Sequence, residues 1–171
     1  MQYFAYGSNL LAARLRARTP SATFVCTARL HGYTLRFWKR GRDDSGKATI
    51  IPSEQPHDQV IGVVYEIDEP ERADLDRAED LGHGYDSIEV RLAGREGDLD
   101  AFTYRARPSH LDRSLMPFDW YRDLVIAGAV EHGLPEAYIG RLRQVRATSD
   151  PDPDRAALHR RLIEPNSTKS T

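Results

Sequence analysis

Several features that would indicate a particular class of protein are scarce or absent in this chain of 171 residues. There is one cysteine, Cys26, which excludes an internal disulfide and favours a reducing compartment. No apolar run approaches the length of a membrane span, and the first strand begins at Tyr3 without a basic, apolar leader. We therefore expect a cytoplasmic protein that makes no contact with a membrane.

An excess of charge of one sign is also lacking. The chain has 24 Lys and Arg residues against 26 Asp and Glu residues, a net charge of −2, and the two signs are interspersed. Two arginine-rich stretches, 14–18 and 141–146, alternate with apolar residues, so we interpret them as solvated faces of packed elements. The charge pattern shows no basic patch of the kind that binds nucleic acid, and no nucleic-acid partner is expected.

Motifs for metal, phosphate or serine-hydrolase chemistry are missing as well. The six histidines are scattered, and no two of them are spaced three or four residues apart as zinc ligands on a helix are. There is no Gly-x-Ser-x-Gly sequence and no phosphate-binding loop. We expect neither a metal nor a cofactor.

What the chain does contain is a series of short alternating runs with helical segments between them. Residues 24–30 and 33–37 flank a turn and predict one hairpin, and residues 88–92 and 99–106 predict a second. Helices are predicted over 10–18, 68–79, 119–132, 135–142 and 155–163. About six strands with interspersed helices predict an α+β fold, a small mixed and largely antiparallel β-barrel or sheet with surrounding helices. We expect one domain over residues 1–163 and a flexible tail over 164–171.

The first nine residues form the most informative stretch. An aromatic strand ends at Gly7, and Ser8 and Asn9 are residue types that often cap a helix. A strand-to-helix junction of this kind directs several backbone N–H groups at one point, which suits a carboxylate or an oxyanion. On residue types alone, a purely structural glycine turn with a cap is the favoured interpretation.

A group of acids near residue 79 is the second feature of interest. Glu79 ends the predicted helix where the chain enters a glycine-rich loop, a plausible rim of a cleft. Its neighbour Asp80 and the C-terminal end of the helix both disfavour the ionised form of Glu79. From spacing alone, a catalytic role for Glu79 is one option among several.

Three separated blocks resemble the γ-glutamylcyclotransferase family, also described as AIG2-like. Residues 3–10 (YFAYGSNL) resemble its N-terminal signature, residues 75–79 (LDRAE) with Gly84 and Tyr85 resemble its catalytic glutamate segment, and residues 121–138 resemble its C-terminal block. The C-terminal block indicates the branch that acts on γ-glutamyl amino acids. Asp80 departs from the family pattern, which often has glycine there, and this affects the expected loop geometry and substrate preference.

The resemblance implies an enzyme in which the α-amine of a γ-glutamyl compound attacks the γ-carbonyl, releasing 5-oxoproline and an amine or amino acid. It implies Glu79 as the general acid and base and the backbone of residues 6–9 as the cradle for the oxyanion or carboxylate. Tyr85 and Tyr121 are candidate pocket walls, although ordinary core packing would also explain them. The implied substrate-binding residues are Tyr3, Phe4, Ala5, Tyr6, Gly7, Ser8, Asn9, Tyr85 and Tyr121.

Some alternatives stay open at this level. The same chemistry could serve γ-glutamylamines, or it could remove a γ-glutamyl protecting group in a biosynthetic pathway. A non-catalytic protein of the same fold that binds a small carboxylate is another alternative. The expected partner is a small γ-glutamyl molecule, and a homodimer is an option that the sequence neither requires nor excludes.

Overall fold

A closed barrel of five strands lies at the centre of the computed structural model, which describes residues 1–163. A separate sheet has two strands. In chain order the strands are β1 (Gln2–Ala5), β2 (Thr23–His31), β3 (Tyr33–Arg40), β4 (Gly46–Pro52), β5 (Gln59–Glu66), β6 (Tyr85–Gly94) and β7 (Gly97–Ala106). The order around the barrel is β1-β5-β2-β6-β7, and β3 pairs with β4.

The strand β5 is the most deeply buried strand of the barrel. Every residue from Val60 to Tyr65 is buried, because β5 pairs antiparallel with β1 on one side and with β2 on the other. The barrel closes through a parallel contact between β1 and β7, where Tyr3 faces Phe102. The predicted fold class, a mixed and largely antiparallel barrel surrounded by helices, is confirmed.

One of the two predicted hairpins is confirmed and the other is wrong. Strands β6 and β7 pair in register from Tyr85 with Ala106 to Gly94 with Gly97. Strands β2 and β3 are also consecutive, joined at Gly32, but β2 pairs with β5 and β6 whereas β3 pairs with β4. Alternation identifies the two faces of a strand, whereas its partner is decided by contacts between residues far apart in sequence.

Five α-helices lie outside the barrel, close to the predicted positions. They are α1 (Ala12–Arg16), α2 (Arg72–Ala78), α3 (Asp119–Glu131), α4 (Glu136–Arg143) and α5 (Pro153–Arg160). Gly133 follows α3 with a φ of 61° and Pro135 precedes α4, as the sequence predicts. Asp119 is the first residue of α3 and not its cap, since Phe118 occupies the capping position.

The junction after β1 differs from its prediction. Ser8–Leu10 form a 3₁₀ turn, and Leu11 in an extended conformation separates this turn from α1. Neither helical segment receives a side-chain cap, so the prediction that Ser8 and Asn9 act as caps is wrong. Because α1 begins later than expected, both side chains are free to make contacts elsewhere.

The turn is held between a strand and a helix. The hydroxyl of Tyr65 on β5 donates a hydrogen bond of 2.8 Å to the carbonyl of Leu10. On the other side α3 packs so closely that a Cβ on Gly128 would lie 2.3 Å from the backbone nitrogen of Leu11. These contacts position the backbone of the 3₁₀ turn.

Within residues 1–163, no helix combines the length and apolar character needed to cross a bilayer. The predicted flexible tail, 164–171, lies outside the described residues. The assignment of residues 1–163 to one domain stays a prediction.

Candidate active site

A small inner cavity of about 20 Å³ lies at the turn after β1, with room for about one water molecule. A larger outer cleft of about 450 Å³ lies beside it. Four residues line both spaces: Ser8, Glu79, Tyr85 and Tyr121. The inner cavity is lined in addition by Tyr3, Tyr6, Gly7, Asn9, Ala48 and Tyr104.

Glu79 follows α2 at the position that caps the helix C-terminus. The chain then turns sharply, because Asp80 has a φ of 56°. The Oε1 atom of Glu79 accepts hydrogen bonds from Asn9 Nδ2 at 3.0 Å and from Arg18 Nη1 at 2.7 Å. Its other oxygen, Oε2, has no hydrogen-bond partner within residues 1–163. The carboxylate is therefore held through one oxygen and available through the other.

Asn9 joins the segment that carries Glu79 to the first strand. Its Nδ2 donates to the hydroxyl of Tyr3 at 3.0 Å as well as to Glu79, and its Oδ1 accepts from Arg18 Nη1 at 3.0 Å. Asn9 is 3% exposed, so these contacts are largely shielded from water. The side chain that the sequence suggested as a helix cap instead fixes the position of Glu79.

Backbone N–H groups of the turn are also available. Across the described part of the chain, the N–H groups of Ser8 and Asn9 make no hydrogen bond. Both residues are buried and line the inner cavity. Gly7 has no side chain to crowd Ala48 at this point, since a Cβ at position 7 would lie 3.0 Å from the Ala48 side chain. The turn thus offers unsatisfied donors at the edge of a confined space.

Tyr85 and Tyr121 close the opposite side of the inner cavity by holding Ala48 of β4. The hydroxyl of Tyr85 donates to the Ala48 carbonyl at 2.7 Å, and the Tyr121 hydroxyl accepts from the Ala48 N–H at 3.1 Å. Burial raises the pKa of both hydroxyls above the ordinary value, so both stay protonated at neutral pH.

The Asp80 carboxylate is paired with basic residues. It accepts from Arg42 Nη2 at 2.6 Å and lies 3.2 Å from Nδ1 of His83. The hydrogen bond from Arg42 lowers the pKa of Asp80. The charged group in contact with Glu79 is the guanidinium of Arg18, at 2.7 Å.

Two of the nine predicted substrate-binding residues lie away from the cavity. Phe4 and Ala5 are fully buried, and neither lines the inner cavity or the outer cleft. Their side chains pack in the barrel and support the strand that carries Tyr3 and the turn. The other seven predicted residues, Tyr3, Tyr6, Gly7, Ser8, Asn9, Tyr85 and Tyr121, line the inner cavity together with Glu79.

Sequence reasoning missed the cationic residues around the site. Arg14 and Arg18 belong to the stretch interpreted as a solvated face, but both are half-buried and line the outer cleft. That interpretation is wrong for these two, because Arg14 on α1 contacts Ser8 and Arg18, two residues after the end of α1, contacts Glu79. The spacing of four residues between them was the available signal, since it puts both on one side of the helix predicted over 10–18. Lys39, Ala48 and Tyr104 were also missed, and they carry no local motif.

The described residues contain no group of three or more His, Cys, Asp and Glu side chains placed to hold a metal ion. The arrangement is a carboxylate, a pair of side chains that orient it, backbone donors and aromatic walls. Such a set can move protons and stabilise negative charge on a small bound molecule.

Comparison with known proteins places the chain beside one family in both sequence and fold. Residues 59–142 match the model of the AIG2-like family. The chain is 38% identical over 149 residues to γ-glutamylcyclotransferase of Mus musculus, an alignment that covers 84% of this chain and 77% of the relative. Identity and coverage are the same for the Homo sapiens protein of that name.

A solved structure described as a γ-glutamyl cyclotransferase superposes with a TM-score of 0.82 at 32% identity, covering 94% of this chain and 98% of the other. Similarity in sequence therefore extends to the whole arrangement of strands and helices. On this evidence the chain belongs to the γ-glutamylcyclotransferase family of enzymes.

Proposed function

We propose that this protein is a γ-glutamylcyclotransferase acting on γ-glutamyl amino acids, with Glu79 as the general base and acid. The α-amine of the substrate attacks its own γ-carbonyl carbon, the amide bond to the leaving nitrogen breaks, and 5-oxoproline and a free amino acid are the products. The names of the relatives support the reaction, and the resemblance of the C-terminal block supports this substrate class.

The observation that carries the proposal is the unequal engagement of the two Glu79 oxygens. Asn9 and Arg18 hold Oε1, whereas Oε2 has no partner among residues 1–163. Glu79 lies where the inner cavity meets the outer cleft. A carboxylate that is oriented through one oxygen and unoccupied on the other is suited to accept a proton from an amine in the cavity.

The proton balance fits one residue acting as a shuttle. The substrate α-nitrogen begins as an ammonium with three protons and ends as a lactam N–H with one. The leaving nitrogen begins as an amide N–H and ends as an ammonium. Two protons therefore pass from one nitrogen to the other, and a single carboxylate that accepts and returns each of them ends in its starting form.

The energetics show why the rest of the cavity is needed. In model peptides an α-amine titrates near pH 8 and a glutamate near 4.3, so proton transfer between them in water is uphill by about 5 kcal/mol. Holding the glutamyl chain folded for ring closure can offset about 7 kcal/mol or more. The N–H groups of Ser8 and Asn9 are the donors proposed for the oxyanion, and loss of one such donor typically costs about 3 kcal/mol.

The direct test is Glu79→Gln, which keeps the size and hydrogen-bonding capacity of the side chain but removes its ability to accept a proton. We expect kcat/KM for 5-oxoproline formation from γ-glutamylalanine to fall by about 10³-fold. Product release is measured by mass spectrometry, and a circular dichroism spectrum unchanged from wild type shows that the fold is intact. Substantial turnover by Glu79→Gln would remove this residue from the mechanism.

Two further variants sharpen the test. Asp80→Asn removes the neighbouring carboxylate while keeping a residue type that tolerates positive φ, and it should retain activity within a few-fold. Ser8→Ala leaves the backbone N–H in place and should cost far less than Glu79→Gln. Loss of activity in Asp80→Asn alone would mean that the wrong acid had been assigned. A wild-type protein that binds γ-glutamylalanine without turnover would support the non-catalytic alternative.

A further inference from the structure

The outer cleft is rich in positive charge, and the charges are not all compensated. Four of its basic residues form ion pairs of 2.7 Å or less with a carboxylate: Arg18 with Glu79, Arg42 with Asp80, Lys47 with Asp43, and Arg155 with Asp150. Two others that line the cleft, Arg14 and Lys39, have no carboxylate within 4.0 Å in the described part of the chain. These two cations are where an added anion would be most stabilised.

Arg14 is oriented by neutral groups only. Its Nε donates to Ser8 Oγ at 2.9 Å, and its Nη1 lies 3.2 Å from Nδ1 of His159. A guanidinium cannot accept a hydrogen bond, so His159 Nδ1 supplies the lone pair. The His159 ring is stacked on Trp120 with centroids 4.0 Å apart, which fixes its direction. Burial lowers the pKa of Arg14 to about 10, the expected consequence of desolvating a cation without a counter-ion.

Lys39 is more deeply buried than any other lysine of the cleft. The residue is 5% exposed; its backbone pairs with β4, whereas its Nζ makes no side-chain hydrogen bond or ion pair within residues 1–163. Its Nζ lies 4.9 Å from the centroid of the Tyr85 ring. Burial lowers the pKa of Lys39, and the ring face offers only part of the stabilisation that an anion would give.

The two cations contact residues that line both the inner cavity and the outer cleft. Arg14 is bonded to Ser8 and Lys39 lies over Tyr85, and both Ser8 and Tyr85 line the passage between the inner cavity and the outer cleft. The inner cavity of about 20 Å³ is too small for a complete dipeptide. A substrate whose γ-carbonyl reaches Glu79 must therefore place its leaving group in the cleft that these cations line.

We propose that Arg14 and Lys39 form the subsite for the carboxylate of the leaving amino acid, and that they set the specificity for carboxylate-bearing leaving groups. This inference rests on the proposed function, which it makes more specific. A leaving group with a free carboxylate pairs with cations that are otherwise uncompensated. A neutral amine leaves them unpaired, and a cationic amine is repelled.

The experiment compares two substrates of nearly the same shape, γ-glutamylalanine and γ-glutamylalaninamide, in which a carboxamide replaces the leaving-group carboxylate. Both retain the α-amine, α-carboxylate and γ-carbonyl of the glutamyl group. We expect the wild-type protein to prefer γ-glutamylalanine by tenfold or more in kcat/KM. Lys39→Met and Arg14→Gln should each lower that ratio severalfold, and Lys39→Glu should bring it to one or below.

A matched control is Arg77→Gln. Arg77 pairs with Asp74 on α2, is 75% exposed and lines neither the inner cavity nor the outer cleft. Its replacement should leave the substrate ratio at the wild-type value. Because the readout is a ratio measured on one protein preparation, partial unfolding of a variant lowers both rates and leaves the ratio unchanged.

The possible outcomes distinguish failure of the proposed subsite from failure of the proposed function. Equal losses on both substrates in Lys39→Met and Arg14→Gln would assign these cations to the α-carboxylate of the glutamyl group and overturn the leaving-group subsite. A wild-type ratio near one would overturn it as well. If the wild-type protein releases 5-oxoproline from neither substrate, the proposed function fails and the subsite fails with it.

Discussion

Asn9 connects two side chains of the inner cavity and one of the outer cleft through one amide. Its nitrogen faces two acceptors, the Tyr3 hydroxyl and Glu79 Oε1, and its oxygen faces the donor Arg18. No other orientation of the amide satisfies these neighbours. Arg18 contributes to the same arrangement, because one nitrogen, Nη1, donates to both Asn9 and Glu79. Glu79 is therefore oriented by a small network, and its geometry depends on each member.

At the scale of single residues, we predict the effect of Arg18→Gln. The variant loses the cation in contact with Glu79 and one of the two donors to Oε1, so Glu79 becomes less well oriented as a base. We expect kcat for γ-glutamylalanine to fall by about 10- to 100-fold with a smaller change in KM. Steady-state kinetics provides the measurement.

Arg18→Lys and Arg16→Gln complete the series. The lysine keeps the charge without the planar guanidinium and should recover part of the lost kcat. Arg16, the last residue of α1, bonds the Ala22 carbonyl and lines neither the inner cavity nor the outer cleft, so its variant should change kcat by less than about twofold. A KM effect without a kcat effect in Arg18→Gln would mean that Arg18 binds substrate and does not position the base.

At the scale of elements, the site depends on how closely α3 approaches the 3₁₀ turn after β1. Gly128 permits this approach, since an added Cβ would meet the backbone of Leu10 and Leu11 at 2.5 Å or less. Backbone atoms cannot move aside as a flexible side chain can. The same helix carries Tyr121 to the cavity wall, so one packing contact aligns both sides of the site.

Gly128→Ala should therefore destabilise the fold. A methyl group in this position forces α3 away from the turn, and we expect the free energy of unfolding to fall by about 2–3 kcal/mol. Urea unfolding followed by circular dichroism measures this loss. Activity should also fall at temperatures where the variant remains folded, because Tyr121 moves with the helix.

Gly140→Ala in α4 is the matched control. Among residues 1–163, no atom outside its own helix lies within 4 Å of the position that its Cβ would take, and alanine has the higher helix propensity. This variant should gain up to about 1 kcal/mol. If both glycine variants were equally stable, close packing of α3 on the turn would not be the reason for glycine at position 128.

At the scale of the whole molecule, residues near the end of the described chain contact residues near its beginning, and both line the outer cleft. Helix α5 carries His159 to Arg14 and Trp120, far from either in sequence. Burial, together with the nearby cations Arg14, Lys47, Arg18 and Arg155, lowers the pKa of His159 from about 6.5 to about 4. His159 therefore stays neutral in the folded protein and can accept the Arg14 hydrogen bond throughout the neutral range.

This shift predicts a specific loss of stability in acid. Between pH 6.5 and about pH 4 the unfolded chain binds a proton at His159 whereas the folded protein does not, so stability falls as the pH is lowered through this window. His159→Phe keeps an aromatic ring against Trp120 and removes the titration. We expect the variant to lose about 1 kcal/mol less than wild type between pH 7 and pH 5, because partial exposure screens the effect.

Urea unfolding of both proteins at the two pH values provides this measurement. His132, whose pKa is also lowered by burial, titrates equally in both proteins and cancels in the difference. An identical loss in wild type and His159→Phe would show that His159 is not kept neutral by the fold.

How much the sequence could predict varies with the range of the interactions. The second hairpin, the helix ending at Glu79 and the turn at Gly7 were predictable because local alternation and glycine positions encode them. The pairing of β2 with β5 and the cationic lining of the outer cleft were not, because they arise from residues distant in the chain. Arg14 and Arg18 look like a solvated face until the position of Glu79 is known.

The sequence by itself therefore determined the fold class, through local alternation, and the family resemblance, through three separated blocks. The candidate base followed from that resemblance and not from spacing. Only the tertiary structure decided that Asn9 orients Glu79 and does not cap a helix, and that Asp80 faces Arg42 and not its neighbour. It also decided which cations lack a counter-ion among residues 1–163. The physical reason is that hydrogen bonds and charge compensation depend on distance in space, which a linear pattern does not record.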